Sequence, residues 1–272
     1  MSFQTHRQQE LLWLTSESLT LPGVVHGFST RTGGVSPAPC DSLNLGPSRS
    51  DGMDCLRENY RRFCAAIGTD PHRTVLSRQV HEDNVYLVTE ADAGKGLWRE
   101  RDYTSVDAFI CNTPDIALTV FSADCGIILL YDPVHRAIGA VHAGWRGVAM
   151  GLVRKTALEM ARCFGTDPKD LHCAIGPAIG QCCFETDEDV PAALRAALGS
   201  DAEPYMERRG SKWHIDLKAI NAHWLRSLGV QHIDICDHCT ACLPDLYWSH
   251  RRMGEARGVQ CAMIALRQEA AL

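Results

Sequence analysis

Apolar residues recur at helical spacing in several segments of the chain. Between residues 54 and 68 they fall every three or four positions, and the run stops at Gly68. This spacing predicts an amphipathic helix, and glycine is typical of the position just after a helix. The same pattern predicts further helices over residues 147–165, 188–198 and 216–229.

Strands are predicted where β-branched and apolar residues alternate or run together. The first two, 74–81 and 84–90, are expected to form a pair joined by a short turn at 82–84. The remaining predicted strands cover 107–112, 116–125, 127–132, 137–144, 172–180, 232–236 and 261–266.

Strands and helices alternate without a strict repeat of strand, helix and strand, and no internal periodicity is visible. We therefore expect an α/β (α+β) protein with a mixed β-sheet core flanked by helices. The 272 residues contain no long linker, which favours a single domain over 1–272. The turn-rich stretch 28–51 is too long for a plain connector and is a candidate wall or lid of a site.

The composition restricts the classes of partner that the protein is expected to have. The net charge is −6, so no general basic field attracts a phosphate backbone, and we expect no nucleic-acid partner. Residues 1–19 lack a signal-peptide pattern, and the apolar runs are far shorter than the roughly 20 residues that span a bilayer. We expect a cytoplasmic protein without a membrane partner, in which most of the thirteen cysteines are buried thiols.

Three short strings each place a metal-ligating residue at the end of an apolar strand. They end at His81, end at Cys125 and begin at His142. Two imidazoles and one thiolate suit Zn²⁺ and leave a fourth position open, which indicates catalysis rather than a structural ion. Twelve histidines and thirteen cysteines permit many such triples, so spacing alone does not decide the assignment.

A second cysteine-rich string contains Cys236, Cys239 and Cys242. It lacks the fourth ligand that an iron–sulfur or structural zinc site requires. The neighbouring pair Cys182 and Cys183 is expected to point in two directions, because adjacent side chains diverge. We expect buried thiols in both places.

Five blocks in order carry a family resemblance: QVH at 79–81, ADC at 123–125, HAGWRG at 142–147, IGPAIGQCCFE at 175–185, and CTACLPDLYWSHRR at 239–252 followed by EARG. Together they resemble the YfiH/YlmD family, whose members are also described as polyphenol oxidases or laccase-domain proteins. The resemblance extends from about Gly27 to Leu266. The departures, Cys-Cys-Phe at 182–184 and YWSHRR at 247–252, touch no expected ligand.

The resemblance implies a zinc site formed by His81, Cys125 and His142. It also implies phosphorolysis of adenosine, inosine, guanosine or methylthioadenosine to the base and ribose 1-phosphate, with accompanying adenosine deaminase activity. The partners would be a purine nucleoside and phosphate. Some members have instead been described as peptidoglycan-editing factors.

Phosphorolysis requires a group that holds the attacking anion. Arg146, in the Gly-Trp-Arg-Gly corner, is the first candidate, with Arg78 and Arg49 as weaker ones. Asn44 is a candidate for binding sugar or base, although asparagine in a turn often serves its own backbone. Asp124, beside the cysteine, is either a proton-handling or a structural carboxylate.

Three other functions stay open at this stage. The sequence contains no His-x-His string, which disfavours the copper cluster of a true laccase, although copper can enter a histidine–cysteine site adventitiously. Cys125 and His142 could act as nucleophile and base in a hydrolase. A non-enzymatic module with structural zinc would instead need four protein ligands.

Overall fold

A computed structural model describes residues 2–47 and 51–268 of the chain. The strands of these residues are β1 Phe3–Gln8, β2 Leu11–Ser16, β3 Val24–Ser29, β4 Thr74–Leu76, β5 Val85–Leu87, β6 Ala108–Cys111, β7 Ala117–Ser122, β8 Gly126–Asp132, β9 Ala137–Ala143, β10 His172–Ile175, β11 Glu185–Thr186, β12 Met206–Arg209, β13 Lys212–Ile215, β14 His232–Ile235 and β15 Gln260–Leu266. The α-helices are α1 Gly52–Ile67, α2 Trp145–Ala149, α3 Leu152–Phe164, α4 Asp189–Leu198, α5 Leu217–Arg226 and α6 His250–Met253.

The strands form two six-stranded sheets and one small sheet. The first sheet has the order β1-β2-β3-β15-β7-β4, and the second has the order β14-β10-β8-β9-β6-β5. Each large sheet is mixed, because β4 runs parallel to β7 in the first, and β5–β6 and β10–β14 are parallel pairs in the second. The small sheet has the order β11-β13-β12. The predicted mixed α/β class is confirmed, with two large sheets.

The two large sheets pack face to face, with helices on both outer sides. Val120 of β7 and Ile127 of β8 belong to the core between the sheets. Phe121 of β7 faces the other way into a core shared with α1, and Ile128 of β8 faces a core shared with α3 and α5. Burial on both faces explains why these strands are continuous apolar runs rather than alternating ones.

Glycines set the boundaries of the helices. α1 ends as predicted, with Gly68 in the left-handed region at φ 79°. The single helix predicted over 147–165 is wrong, because Gly151 takes φ 67° and separates α2 from α3. The turn at Gly151 changes the direction of the chain. As a result, α2 lies at the site described below, and α3 packs on the second sheet.

The predicted pairing of strands 74–81 and 84–90 is also wrong. β4 belongs to the first sheet and β5 to the second, so residues 77–84 cross between the sheets. The peptide N–H groups of residues 80–82 bind the Asp107 carboxylate instead of a partner strand. Strands β1 to β3 and β11 to β13 were not predicted. Within the described residues, no helix is long and apolar enough to cross a membrane.

Gly176 marks a point where the two large sheets approach closely. A Cβ atom at this position would lie 2.3 Å from Cδ1 of the buried Phe28, which belongs to β3. We expect Gly176→Ala to lower the free energy of unfolding by about 1 to 3 kcal/mol through overpacking. Gly147→Ala is the matched control, because its nearest neighbour would be 3.6 Å away. Equal denaturant midpoints for the two variants would contradict this packing.

Candidate active site

The predicted metal ligands come together from three separate places in the fold, two connections between strands and one strand end. His81 lies in the crossing between β4 and β5, Cys125 lies between β7 and β8, and His142 is near the end of β9. One ligand atom from each residue lies within 4.8 Å of the other two. His142 is buried, whereas Cys125 is half-buried and His81 is exposed, so the group opens to solvent on one side.

A single carboxylate organises both histidines. Asp107 immediately precedes β6, and its Oδ1 atom accepts a 2.8 Å hydrogen bond from Nδ1 of His142. The same carboxylate accepts bonds from the backbone N–H groups of Val80, His81 and Glu82 at 3.0, 3.2 and 3.1 Å. Asp107 therefore orients one ring directly and fixes the loop that carries the other.

The backbone around the group is shaped for close approach. His81 adopts φ 64°, a left-handed conformation that the bonds to Asp107 stabilise. A Cβ atom on Gly144 would lie 2.8 Å from Nδ1 of His81 and 3.1 Å from Sγ of Cys125. Any larger residue at 144 would therefore displace two of the three candidate ligands.

The hydrogen bond to Asp107 sets the orientation of the His142 ring. A carboxylate only accepts hydrogen bonds, so Nδ1 of His142 carries the proton and Nε2 faces the Cys125 side. Burial lowers the pKa of His142, but Cys125 and Asp107 outweigh burial and raise it to about 9. The pKa of His81 is lowered by burial and by His142. Burial raises the pKa of Asp107, but the bond from His142 and the backbone N–H bonds outweigh it and hold that pKa below its usual value.

This donor set can hold a metal ion. Two imidazoles, one thiolate and an open side match a catalytic zinc site, and a carboxylate behind a ligating histidine is the usual outer partner of such a site. Two histidines and a cysteine also form blue-copper sites, which add a weak axial methionine or another weak ligand. No methionine occurs among the described residues that line this site.

Two of the three ligands, His81 and Cys125, line a cleft of about 370 Å³, while His142 is buried. Its apolar walls include Trp145, Ile179, Phe184 and Leu217. His250 of α6 and Arg257 supply polar groups to the same space. A cavity with flat apolar walls and a few convergent polar groups is typical of a small-molecule site.

Arg146 lies at the edge of this site. Its guanidinium stacks over the ring of Trp145 at 4.3 Å, and it is close enough to contribute to lowering the pKa of His81. The residue is exposed and forms no ion pair with any described residue. Its charge is therefore available to an anion at the mouth of the cleft.

The other sequence candidates lie elsewhere or outside the described ranges. Arg78 is exposed beside Arg101 in a separate depression, and its backbone bridges to Val106. Asn44 is completely buried, and its amide binds Asp51 and the backbone around Gly46. Arg49 falls outside the described residues. None of the described residues of the turn-rich stretch 28–51 lines the cleft.

The hydrogen bonds of Asp124 match a structural carboxylate rather than a proton-handling one. Its carboxylate accepts bonds from the Thr240 and Ser249 hydroxyls at 2.6 and 3.1 Å and from the Arg251 backbone N–H at 2.7 Å. Its backbone carbonyl accepts a bond from the N–H of Ile179. These bonds fasten three loops around Cys125.

Sequence reasoning missed Asp107, His250 and Arg257. The position of Asp107 at the start of an apolar strand was the one visible signal, and its partner could not be known without the pairing of β6 with β9. His250 and Arg257 lie in the YWSHRR and EARG strings, where the resemblance drew attention but assigned no role.

Comparisons with known proteins agree over nearly the whole chain. A family model described as multi-copper polyphenol oxidoreductase laccase matches residues 25–267. The chain is 32% identical to a protein named purine nucleoside phosphorylase YlmD of Geobacillus stearothermophilus, covering 97% of each chain. It is 34% identical to one named purine nucleoside phosphorylase YfiH of Escherichia coli, covering 85% of this chain and 89% of that one.

A solved structure agrees with these sequence matches. The crystal structure of the Bacillus licheniformis hypothetical protein YfiH superposes with a TM-score of 0.90 at 29% identity, covering 97% of this chain and 99% of that one. The fold, the ordered sequence blocks and the family match lead to one conclusion: the chain belongs to the YfiH/YlmD family of laccase-domain proteins.

Proposed function

We propose that this protein is a zinc-dependent purine nucleoside phosphorylase with accompanying adenosine deaminase activity. The observation that carries the proposal is the open His81–Cys125–His142 group at one end of an apolar-walled cleft, with the unpaired charge of Arg146 at its edge. The names of the relatives support the same reaction class.

Zinc is the metal that this donor set favours. When bound, Zn²⁺ would supply a Lewis acid that stabilises negative charge developing on an oxygen or nitrogen of the substrate. Asp107 would keep Nε2 of His142 free to bind the ion, since Nδ1 is already committed as a donor. Copper could occupy the same donors adventitiously, because Cu²⁺ ranks above Zn²⁺ in affinity.

The cleft offers distinct surfaces for base and phosphate. Phe184 and Trp145 supply flat apolar area for a purine. Arg146 is the first candidate for phosphate, and Arg257 provides a second guanidinium within the lining. Arg49 stays a weaker candidate for the anion, whereas Arg78 and Asn44, which do not line the cleft, are not assigned to the substrate. An oxygen of phosphate would attack C1′ of the ribose, the bond from C1′ to N9 would break, and the purine would leave and take up a proton.

Adenosine deamination would take place at the open side of the same three-ligand group and would need no phosphate. Water would replace the amino group at C6 of the purine and release ammonia, which requires the base to be held with C6 near the ligand group rather than near solvent. The chain lacks the H-x-E and P-C-x-x-C strings of the known zinc deaminases, so the site would be a convergent one.

The proposed reaction is tested by its requirement for phosphate. Zinc-loaded protein incubated with inosine should form hypoxanthine and ribose 1-phosphate only when phosphate is present. Formation of free ribose at the same rate without phosphate would indicate a hydrolase. Consumption of neither inosine nor any of the other three nucleosides would contradict the proposal.

We expect Cys125→Ala to lose one equivalent of zinc relative to the unsubstituted protein, because the variant loses the thiolate of the three-ligand group. Phosphorolysis should fall with the metal. Cys55→Ala is the control, since Cys55 is half-buried on α1 and outside the group. Metal content per chain by mass spectrometry is the measurement, and unchanged zinc in Cys125→Ala would contradict the assignment.

Arg146→Ala separates the two proposed reactions. Loss of a charge-assisted contact to phosphate is worth about 1.5 to 3 kcal/mol, or roughly one to two orders of magnitude in rate. We expect inosine phosphorolysis to fall by that factor, while adenosine deamination, which needs no phosphate, changes much less. Zinc content and the thermal midpoint serve as controls. An equal fall in both rates would mean that Arg146 serves the nucleoside or the scaffold.

One observation favours a second candidate, a hydrolase with a cysteine nucleophile. Cys125, His142 and Asp107 form a chain in which His142 contacts the thiol on one side and the carboxylate on the other. In that case the thiol would react with iodoacetamide regardless of zinc. Protection of Cys125 by stoichiometric zinc would exclude this candidate.

A further inference from the structure

A second group of potential metal ligands lies outside the three-ligand group. The sulfur atoms of Cys182, Cys183, Cys239 and Cys242, here called the cysteine cluster, all lie within 4.8 Å of one another. Sγ of Cys242 is 3.6 Å from Sγ of Cys182 and 3.4 Å from Sγ of Cys183. Four sulfurs bound tetrahedrally at about 2.3 Å from an ion would be about 3.8 Å apart. The observed spacing is therefore close to that of a metal site.

Two tight turns create this convergence. The N–H groups of Cys183 and Phe184 both bind the carbonyl of Gly180, so the chain coils and the adjacent thiols at 182 and 183 share one side. The N–H groups of Cys242 and Leu243 both bind the carbonyl of Cys239. The expectation that neighbouring cysteines diverge is wrong here, because it holds for an extended chain and not for a coiled turn.

Backbone hydrogen bonds join the two turns to each other without an ion. Ala178 pairs with Cys239 in a short parallel bridge, and the N–H of Thr240 binds the carbonyl of Ala178. The N–H of Gly180 donates to Sγ of Cys239 at 3.2 Å, as backbone amides do around metal-bound thiolates. The ligands thus come from two turns that backbone pairing joins to each other.

The chemistry of the donors selects the ion. The cluster consists of sulfur alone, and four thiolates in tetrahedral arrangement are the donors of structural zinc or of iron–sulfur centres. A set of four protein ligands leaves no open position, which is typical of a structural zinc site. Cys182 and Cys242 are exposed, so an ion can reach the cluster from solvent, while Cys239 is buried at its base.

We propose that Cys182, Cys183, Cys239 and Cys242 bind a second Zn²⁺ with a structural role. The ion would join the turn that follows β10 to the turn that follows β14, two segments about 60 residues apart in sequence. Cys236, although it belongs to the same C-x-x-C-x-x-C string, is not a ligand.

The position of the cluster indicates what the ion would stabilise. Ile179 and Phe184, which flank the first turn, both line the cleft. Arg251 binds the carbonyl of Cys183 at 3.0 Å, and Thr240, between the two later ligands, binds Asp124 at 2.6 Å. Fixing the two turns would therefore fix one wall of the cleft without placing the ion among the reacting groups.

The test compares two paired substitutions in the full chain after loading with Zn²⁺ under reducing conditions and removal of excess ion. Cys182→Ser/Cys242→Ser removes the two exposed ligands, and Cys55→Ser/Cys163→Ser is the control with two half-buried cysteines outside the cluster. We expect the first variant to lose one equivalent of zinc and the control to lose none. Cobalt-loaded protein should lose most of its thiolate-to-cobalt charge-transfer absorption only in the first variant.

Three results would overturn the proposal. They are unchanged zinc in Cys182→Ser/Cys242→Ser, a disulfide between cluster cysteines detected by the intact mass of reduced and unreduced protein, and iron–sulfur absorption in the purified chain. Cys125→Ala should retain the ion of the cysteine cluster while losing the ion of the three-ligand group. The zinc contents of the two variants therefore distinguish a failure of this proposal from a failure of the proposed active site. The thermal midpoint of each variant verifies that it is folded.

Discussion

The hydrogen bonds of the Asp107 carboxylate are the interaction on which the site depends. Four donors converge on two oxygens: one imidazole N–H and three backbone N–H groups from the crossing that carries His81. Hydrogen bonds to a buried charge are worth about 1.5 to 3 kcal/mol each, so this one side chain stabilises both the ring of His142 and the left-handed backbone of His81. Asp107 therefore orients the imidazole of His142 and positions the backbone that carries the imidazole of His81.

The fold supplies the remaining constraints through strand pairing. Ala108 pairs with Val141 in the antiparallel register of β6 and β9, which places Asp107 opposite His142. Cys125 sits in the short connection from β7 in the first sheet to β8 in the second, so it lies where the two sheets meet. The face-to-face packing of the sheets therefore sets the separation of the ligands, while the loops complete the cleft around them.

Much of this architecture is legible in the sequence, and the reasons for the exceptions are local. The long apolar runs of β7, β8 and β9 predict strands correctly because these strands are buried on both faces. The segment 74–90 also has strand-like composition, but the N–H groups of residues 80–82 bind Asp107, and the two ends of the segment enter different sheets. A pattern of residue types carries no information about such a distant carboxylate.

The same limit applies to the chemical groups. His81, Cys125 and His142 can be selected from the sequence because each ends or begins a recognisable block. Asp107 and the cysteine cluster cannot, since the first depends on sheet register and the second on two turns that bring distant and adjacent thiols together. Asn44 is an example of the opposite error. Its residue type suggests a ligand-binding group, but its amide forms hydrogen bonds within its own loop.

The most direct test of the metal centre is the zinc affinity of Asp107→Asn for the ion held by His81, Cys125 and His142, determined by competition with a chelator in a chain that also carries Cys182→Ser/Cys242→Ser. The amide cannot accept all four hydrogen bonds, so both histidines lose their orientation. We expect the dissociation constant for that ion to rise about 10- to 100-fold, the usual effect of removing an outer partner of a metal ligand. An unchanged affinity in folded Asp107→Asn would contradict the claim that this carboxylate organises the metal centre.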